Sequence, residues 1–234
     1  MFRYANPAKF MALSGAVLPY VWAATAILFA VGLYLTFTVP PDYQQKDTVR
    51  ILFIHISAAM TAMSVYGAIA VASFFSFVWR HPLADVAARA AAPIGLVFTA
   101  LALITGSLWG KPMWGTYWAW DPRITSTLLL LFIYIGYMAL WNAIEDETRA
   151  ARAAAILALV GSIDLPIIHY SVEWWNSLHQ GESLMSGSID PVFRPALYSM
   201  MLAYTFLFAG LWMIRIRTGI LERRIRTLMQ AGSI

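Results

Sequence analysis

Residues 109–123 read WGKPMWGTYWAWDPR. Four tryptophans fall in this stretch, Trp109, Trp114, Trp118 and Trp120, together with Tyr117. Two cations, Lys111 and Arg123, and one acid, Asp121, complete its polar content. Long apolar runs flank it on both sides, so it lies between two candidate membrane spans. Aromatic rings gather at bilayer interfaces, where an apolar body and a polar tip each find a partner. That accounts for one or two tryptophans at a helix end, and poorly for four within twelve residues. Trp114 and Trp118 stand four apart, the spacing of one face of a helical turn, with Trp120 and Asp121 just beyond. A platform of indole faces suits a large, flat, apolar ligand.

The flanking runs decide the fold class. The chain has 234 residues, 60% hydrophobic and 12% charged, with a mean hydropathy of +0.66. A soluble domain carries about 25% charged residues. A membrane span needs about 20 mostly apolar residues, and six runs qualify: 15–38, 51–79, 91–109, 124–142, 153–171 and 196–214. The expectation is an all-α integral membrane protein, one transmembrane domain of six helices over residues 1–234. The first run exceeds the apolar core of a signal peptide and lacks a clear small-residue cleavage site, so it is read as a retained helix. There is no cysteine, hence no disulfide or thiolate chemistry. The net charge is +4, but the basic residues sit at the ends of apolar runs, which argues against nucleic-acid binding. No phosphate-binding loop and no nucleophile–base pair stands out, so binding is expected rather than catalysis.

Six spans put both termini on one side. With the termini inside, the inner segments hold Arg3, Lys9, Arg80, Arg89, Arg149, Arg152, Arg215, Arg217, Arg223, Arg224 and Arg226. The outer segments hold Lys46, Arg50, Lys111, Arg123 and Arg194. The positive-inside rule then makes both termini cytoplasmic and turns residues 39–50, 109–123 and 172–195 outward.

Three histidines fall at the outer side: His55 about a turn and a half inside the second helix, His169 at the end of the fifth span, and His179 in the last outer loop. Imidazole is a common iron ligand, although a lone histidine at a helix end equally serves a neighbouring helix and an exposed loop histidine is usually inert. Asp121-Pro122 reads as a helix start, with Asp as N-cap and Pro as first helical residue, so Asp121 is either a cap or part of a site. Arg123 then lies in a first turn, where a cation is disfavoured by the helix dipole and calls for an anionic partner, Asp121 or a ligand. Asp47 or Thr48 can cap the second helix, and Pro93 sits near the start of the third. Trp174 and Trp175 fit an interfacial belt and enlarge the aromatic surface. Asp164, inside the fifth run, is expected to be paired or protonated. His81 lies in a basic inner turn and receives no role. The basic tail over 215–229, with Ile216, Ile220 and Leu228 on one face, is read as lying on anionic lipid or touching a cytoplasmic partner.

Four long motifs carry a resemblance: DYQQ at 42–45, the segment around His55, WGKPMWGTYWAWD at 109–121, and LPIIHYSVEWWNSLHQG at 165–181. The chain resembles the tryptophan-rich WWD heme-handling proteins of cytochrome c maturation and, among them, the CcmC family, heme exporter protein C. One departure is Tyr117, where the family more often has tryptophan. The resemblance implies heme b held on the periplasmic side of the bacterial inner membrane. His55 and His179 would be its axial ligands, with His169 supporting or spare. Trp114, Tyr117, Trp118, Trp120 and Asp121 would form the heme platform. Inward-running helices present N-termini that favour anions, so Arg50 and Arg123 are candidate partners of the heme propionates, unless they snorkel to lipid phosphate or bond Asp121. The implied acceptor is the heme chaperone CcmE. The implied complex includes the ABC-transporter subunits CcmA and CcmB and the small protein CcmD, with ATP hydrolysed elsewhere. Competing readings are a heme transporter or channel, which needs polar residues through the bilayer core; a heme–apocytochrome ligase, a typically longer chain; and a structural subunit anchored by its tryptophans.

Overall fold

The computed structural model describes residues 6–81, 83–179 and 189–232. The described residues form seven helices: α1 Pro7–Thr38, α2 Arg50–Trp79, α3 Ala84–Trp114, α4 Pro122–Ala143, α5 Glu147–Gly161, α6 Asp164–Trp174 and α7 Arg194–Gln230. Together α5 and α6 make one span, so six segments are long and apolar enough to cross a membrane. The break between them is tight. Ile163 N–H bonds the Val160 carbonyl and Leu165 N–H bonds the Ser162 carbonyl, each at 3.2 Å, and Pro166 lacks the amide that would continue the α-helical ladder.

α2 is the central post. Phe53, Ala58, Val65, Tyr66 and Ile69 are fully buried along it. α3 packs closely on it through a face of small residues, with Ala88, Ala91, Ala92 and Ala102 all buried. α4 is tied in by Tyr134, whose hydroxyl donates to the Ala62 carbonyl at 2.8 Å and whose ring fills the space left at Gly95. Lipid supplies no hydrophobic drive between helices, so close backbone approach carries this packing. α7 lies against α2 and α3 and holds α1 on its outer side. The α1 seam is likewise small or polar: Ser14, Val21, Thr25, Gly32 and Thr36. Gly32 sits beside Met200, and a Cβ at Gly210 would stand 3.2 Å from Trp22.

The helices overrun the apolar windows of the sequence. α3 begins seven residues before the expected 91, so Pro93 lies inside the helix. α2 is not capped by Asp47 or Thr48: residues Asp47–Val49 form a 3-10 turn that leads into it without a side-chain cap. The C-terminal segment continues α7 unbroken to Gln230. It is held by protein: Ile216 is buried against Val86 and Ala90, Arg223 pairs with Asp85 at 2.5 Å, Arg226 pairs with Glu147, and Arg217 donates to the Met11 carbonyl at 2.6 Å. Ile216 therefore does not face lipid. The first turns of α1 and the later turns of α7 lie together at this end of the bundle.

Candidate functional site

The opposite end gathers the segments that follow α1, α3 and α6. After α1 the chain makes a closed turn. Asp42 and Lys46 exchange backbone hydrogen bonds at 3.2 and 2.9 Å, and the Asp42 carboxylate accepts from the Gln44 and Gln45 amides at 2.9 and 2.7 Å. Lys46 sits at φ 53, ψ −137, a sparsely populated region that surrounding bonds must enforce. The turn aims Gln45, whose Oε1 accepts from the Trp109 indole N–H at 2.8 Å. The Trp109 ring in turn lies 5.6 Å from the His55 ring.

His55 projects from α2 onto α3. Its Nδ1 is 3.0 Å from the Ala102 carbonyl oxygen and 3.3 Å from Thr105 Oγ1. A carbonyl only accepts, so Nδ1 carries the proton and donates. Nε2 is left with its lone pair. His55 lies within electrostatic range of His179 and Arg123.

Asp121 is the hub of the second half. As expected it caps α4, accepting from the Arg123 amide at 2.9 Å, with Pro122 as first helical residue. It also does much more. Its Oδ2 accepts from the Ser177 hydroxyl and the Leu178 amide, both at 2.7 Å. Its Oδ1 lies 3.0 Å from His179 Nδ1. The side chain is 1% exposed. Burial alone raises the Asp121 pKa, but the bonds from Ser177 and Leu178, the nearby His179 and the Arg123 amide outweigh it and hold the carboxyl below its usual range. For His179, burial and the Arg123 cation push down against the upward pull of Asp121, and the net value lies below the ordinary one. The two shifts agree on one state: an ionised Asp121 accepting from the Nδ1–H of a neutral His179. Nε2 again keeps its lone pair. Both histidines are thus held in the same tautomer, one by a carbonyl and one by a carboxylate, as metal-binding imidazoles commonly are.

His179 is no exposed loop residue, since its side chain is only 15% exposed. The Trp114 ring packs edge-on to it at 4.8 Å. The remaining aromatic residues are arranged differently from the helical platform read in the sequence. α3 stops at Trp114, where Gly115 adopts a left-handed φ of 76, and residues 115–121 are non-helical. Trp114 and Trp118 therefore share no helical face. Trp118 meets Trp120 edge-on at 5.6 Å, Trp120 is 76% exposed, and Tyr117 lies under the Lys111 ammonium at 5.3 Å. Trp174 stacks on Tyr170 at 5.4 Å and meets Trp175 edge-on, with both tryptophans half exposed.

The arginines are engaged. Arg50 pairs with Asp47 at 2.9 Å. Arg123 reaches α6, donating from Nε to Ser171 Oγ at 3.2 Å and from Nη2 to the His169 carbonyl at 2.8 Å. His169 enters the site through that carbonyl, and its ring packs on Tyr170 at 4.6 Å. Asp164, at the α5–α6 break, is buried, and neither carboxylate oxygen finds a hydrogen-bond partner. Gln180 and Gly181, the end of the last motif, lie outside the described residues.

Sequence reasoning missed Gln45 as a tether, Ala102 and Thr105 as acceptors for His55, and Ser177 as a partner of Asp121. Gln45 and Ser177 lie inside quoted motifs, and Ala102 and Thr105 share a helix with Trp109, which was the available signal.

A family model, CcmC, heme exporter protein C, matches residues 1–231. The chain belongs to the heme exporter protein C family. A heme exporter protein C of Bradyrhizobium diazoefficiens is 56% identical, with 97% of this chain and 89% of the relative covered. That of Escherichia coli K12 is 47% identical over 94% of this chain and 91% of the relative. That of Paracoccus denitrificans is 46% identical over 98% and 97%. The match to heme exporter protein C takes in every segment of the site, His55 and His179 included.

Proposed function

We propose that this protein holds heme b at the periplasmic face of the bacterial inner membrane and presents it to the heme chaperone CcmE, beside CcmA, CcmB and CcmD. Heme is here the cargo. The observation that carries the reading is the pair of imidazoles, from α2 and from the loop after α6, each with Nδ1 donated and Nε2 free. Such a pair can grip iron, while Trp114 and the other rings near His179 offer apolar surface to a macrocycle. Arg123, close to both imidazoles, favours their neutral, ligating form and supplies positive charge for a heme carboxylate. Holding is favoured over transport because the buried charged side chains among the described residues are Asp121 and Asp164. A lone acid within the spans does not make a polar pathway. The ligands differ in mounting: His55 is wedged between two spans, whereas His179 rides on a loop pinned by one carboxylate. A firm ligand and a releasable one suit handover.

The test is the visible spectrum of the purified protein. It should show a Soret band with a bis-imidazole signature, which His55→Ala and His179→Ala each change while each stops transfer to CcmE. His81→Ala, at the other end, should do neither. A wild-type protein without a Soret band overturns the reading. If His169→Ala abolishes the bis-imidazole signature and His179→Ala leaves it, the second ligand is misassigned.

A further inference from the structure

One face of α3 touches His55 on three sides. Ala102, Thr105, Gly106 and Trp109 recur at the i, i+3, i+4, i+7 spacing of a single helical stripe. Ala102 offers its carbonyl at 3.0 Å and Thr105 its hydroxyl oxygen at 3.3 Å, both to Nδ1. The Thr105 hydroxyl proton goes to the Leu101 carbonyl at 2.6 Å, so toward His55 the oxygen acts as acceptor. Trp109 closes the top. Gly106 is the part that leaves no choice: a Cβ there would lie 2.9 Å from His55 Cε1 and 3.3 Å from Nδ1. Real Cβ atoms essentially never come as close as the first of these. The imidazole cannot simply back away, because Nδ1 is tied to the same helix and the α2 backbone that carries His55 is packed by the buried Phe53, Ser57 and Ala58.

We infer that the α3 stripe Ala102–Thr105–Gly106 is a socket that positions His55, fixing both which ring nitrogen is protonated and where Nε2 points. Ala102 and Thr105 set the tautomer and Gly106 admits the ring. These are positioning residues, since each acts on the cargo only through His55. The inference rests on the ligand role proposed above for His55 and assigns the residues that create it. A hydrogen bond donated by Nδ1–H makes Nε2 a more basic ligand, so the socket also tunes the ligand.

The test uses the full chain in detergent. Gly106→Ala should convert the bis-imidazole spectrum to that of His55→Ala although His55 is present, and adding His55→Ala to it should change nothing more. Gly136→Ala, whose Cβ would make an ordinary 3.5 Å contact with Leu157, should keep the wild-type spectrum. Thr105→Val, nearly equal in volume, should keep both imidazoles on iron but raise the midpoint potential, as a weakened donor favours the ferrous state. A purely structural role for Thr105 would leave the potential unmoved. Ligand-free protein gives an independent readout: the ring 15N resonances of His55 should report an Nδ1-protonated tautomer and move in Gly106→Ala. A wild-type spectrum and potential in both variants, or unmoved resonances in Gly106→Ala, overturns the socket. Absence of a Soret band from the wild type would overturn the ligand reading instead, and the resonances would still decide the socket.

Discussion

Asp121 offers four lone-pair directions and meets four donors, the amides of Arg123 and Leu178, the Ser177 hydroxyl and His179 Nδ1. An ionised carboxylate can satisfy all four, whereas an amide of the same shape has one accepting oxygen and one donating nitrogen. In Asp121→Asn, whichever way the amide turns, a backbone N–H, that of Arg123 or of Leu178, is left facing another donor. Hydrogen bonds to a charged partner contribute about 1.5–3 kcal/mol each, so this substitution should loosen residues 175–179 and lower the thermal midpoint. The pH dependence follows from the two lowered pKa values. His179 in the folded chain takes its proton below its ordinary value of 6.5, so the unfolded chain protonates first as pH falls. Its contribution is complete above 6.5 and drains as pH drops through the lowered value. Asp121 behaves alike at lower pH, its contribution complete above 3.8 and lost beneath. Stability should therefore rise with pH across the acid range. Asp121→Asn removes the upward pull on His179 and leaves burial and Arg123, so a ring-NMR titration should find its His179 protonating at lower pH than in the wild type; a higher value would contradict the hub. The histidines were legible as residues in the sequence. Their tautomers were not, because each depends on an acceptor about 50 residues away, Ala102 for His55 and Asp121 for His179.

Among elements, α3 does most to build the site: its stripe faces His55 and its end releases the aromatic segment. That end depends on Gly115, which takes φ 76 and whose Cβ position is open space. A substitution there meets backbone cost alone, since a left-handed conformation disfavours an L-residue by about 1–2 kcal/mol. Gly115→Ala should lower stability by about that amount in thermal unfolding in detergent, and a neutral or stabilising result would mean the turn can be re-formed another way. The six spans themselves were legible because long apolar runs permit few other structures. Their ends were not, because hydropathy windows stop where charge begins. Asp85 and Arg223 pair with one another across helices, which lets α3 and α7 continue as helix past those windows. The α5–α6 break was equally hidden. Pro166 marks it, yet prolines within α1 and α3 leave those helices continuous.

At the scale of the whole molecule, the site is one end of the bundle and the start of α1 and the end of α7 are the other, so a single orientation decides where the proposed cargo is held. Among the described residues, the terminal end carries ten lysines and arginines and five acids, whereas the site end carries five cations and five acids. The arginines that pair with Asp85 and Glu147 neutralise only part of that excess. The cytoplasmic leaflet is anionic and positive segments resist translocation, so both counts predict cytoplasmic termini and a periplasmic site. Reporter fusions after Arg80 and Arg149 should be active only with a cytoplasmic reporter, and a fusion after Gly110 only with a periplasmic one. The Gly110 fusion is decisive because Trp109 is bonded to Gln45 and packed on His55, so its side of the membrane is the side of the whole site. A cytoplasmic signal there would turn both imidazoles inward and remove the basis for handing heme to a periplasmic chaperone, while leaving the helical packing, the Asp121 hub and the His55 contacts on α3 untouched.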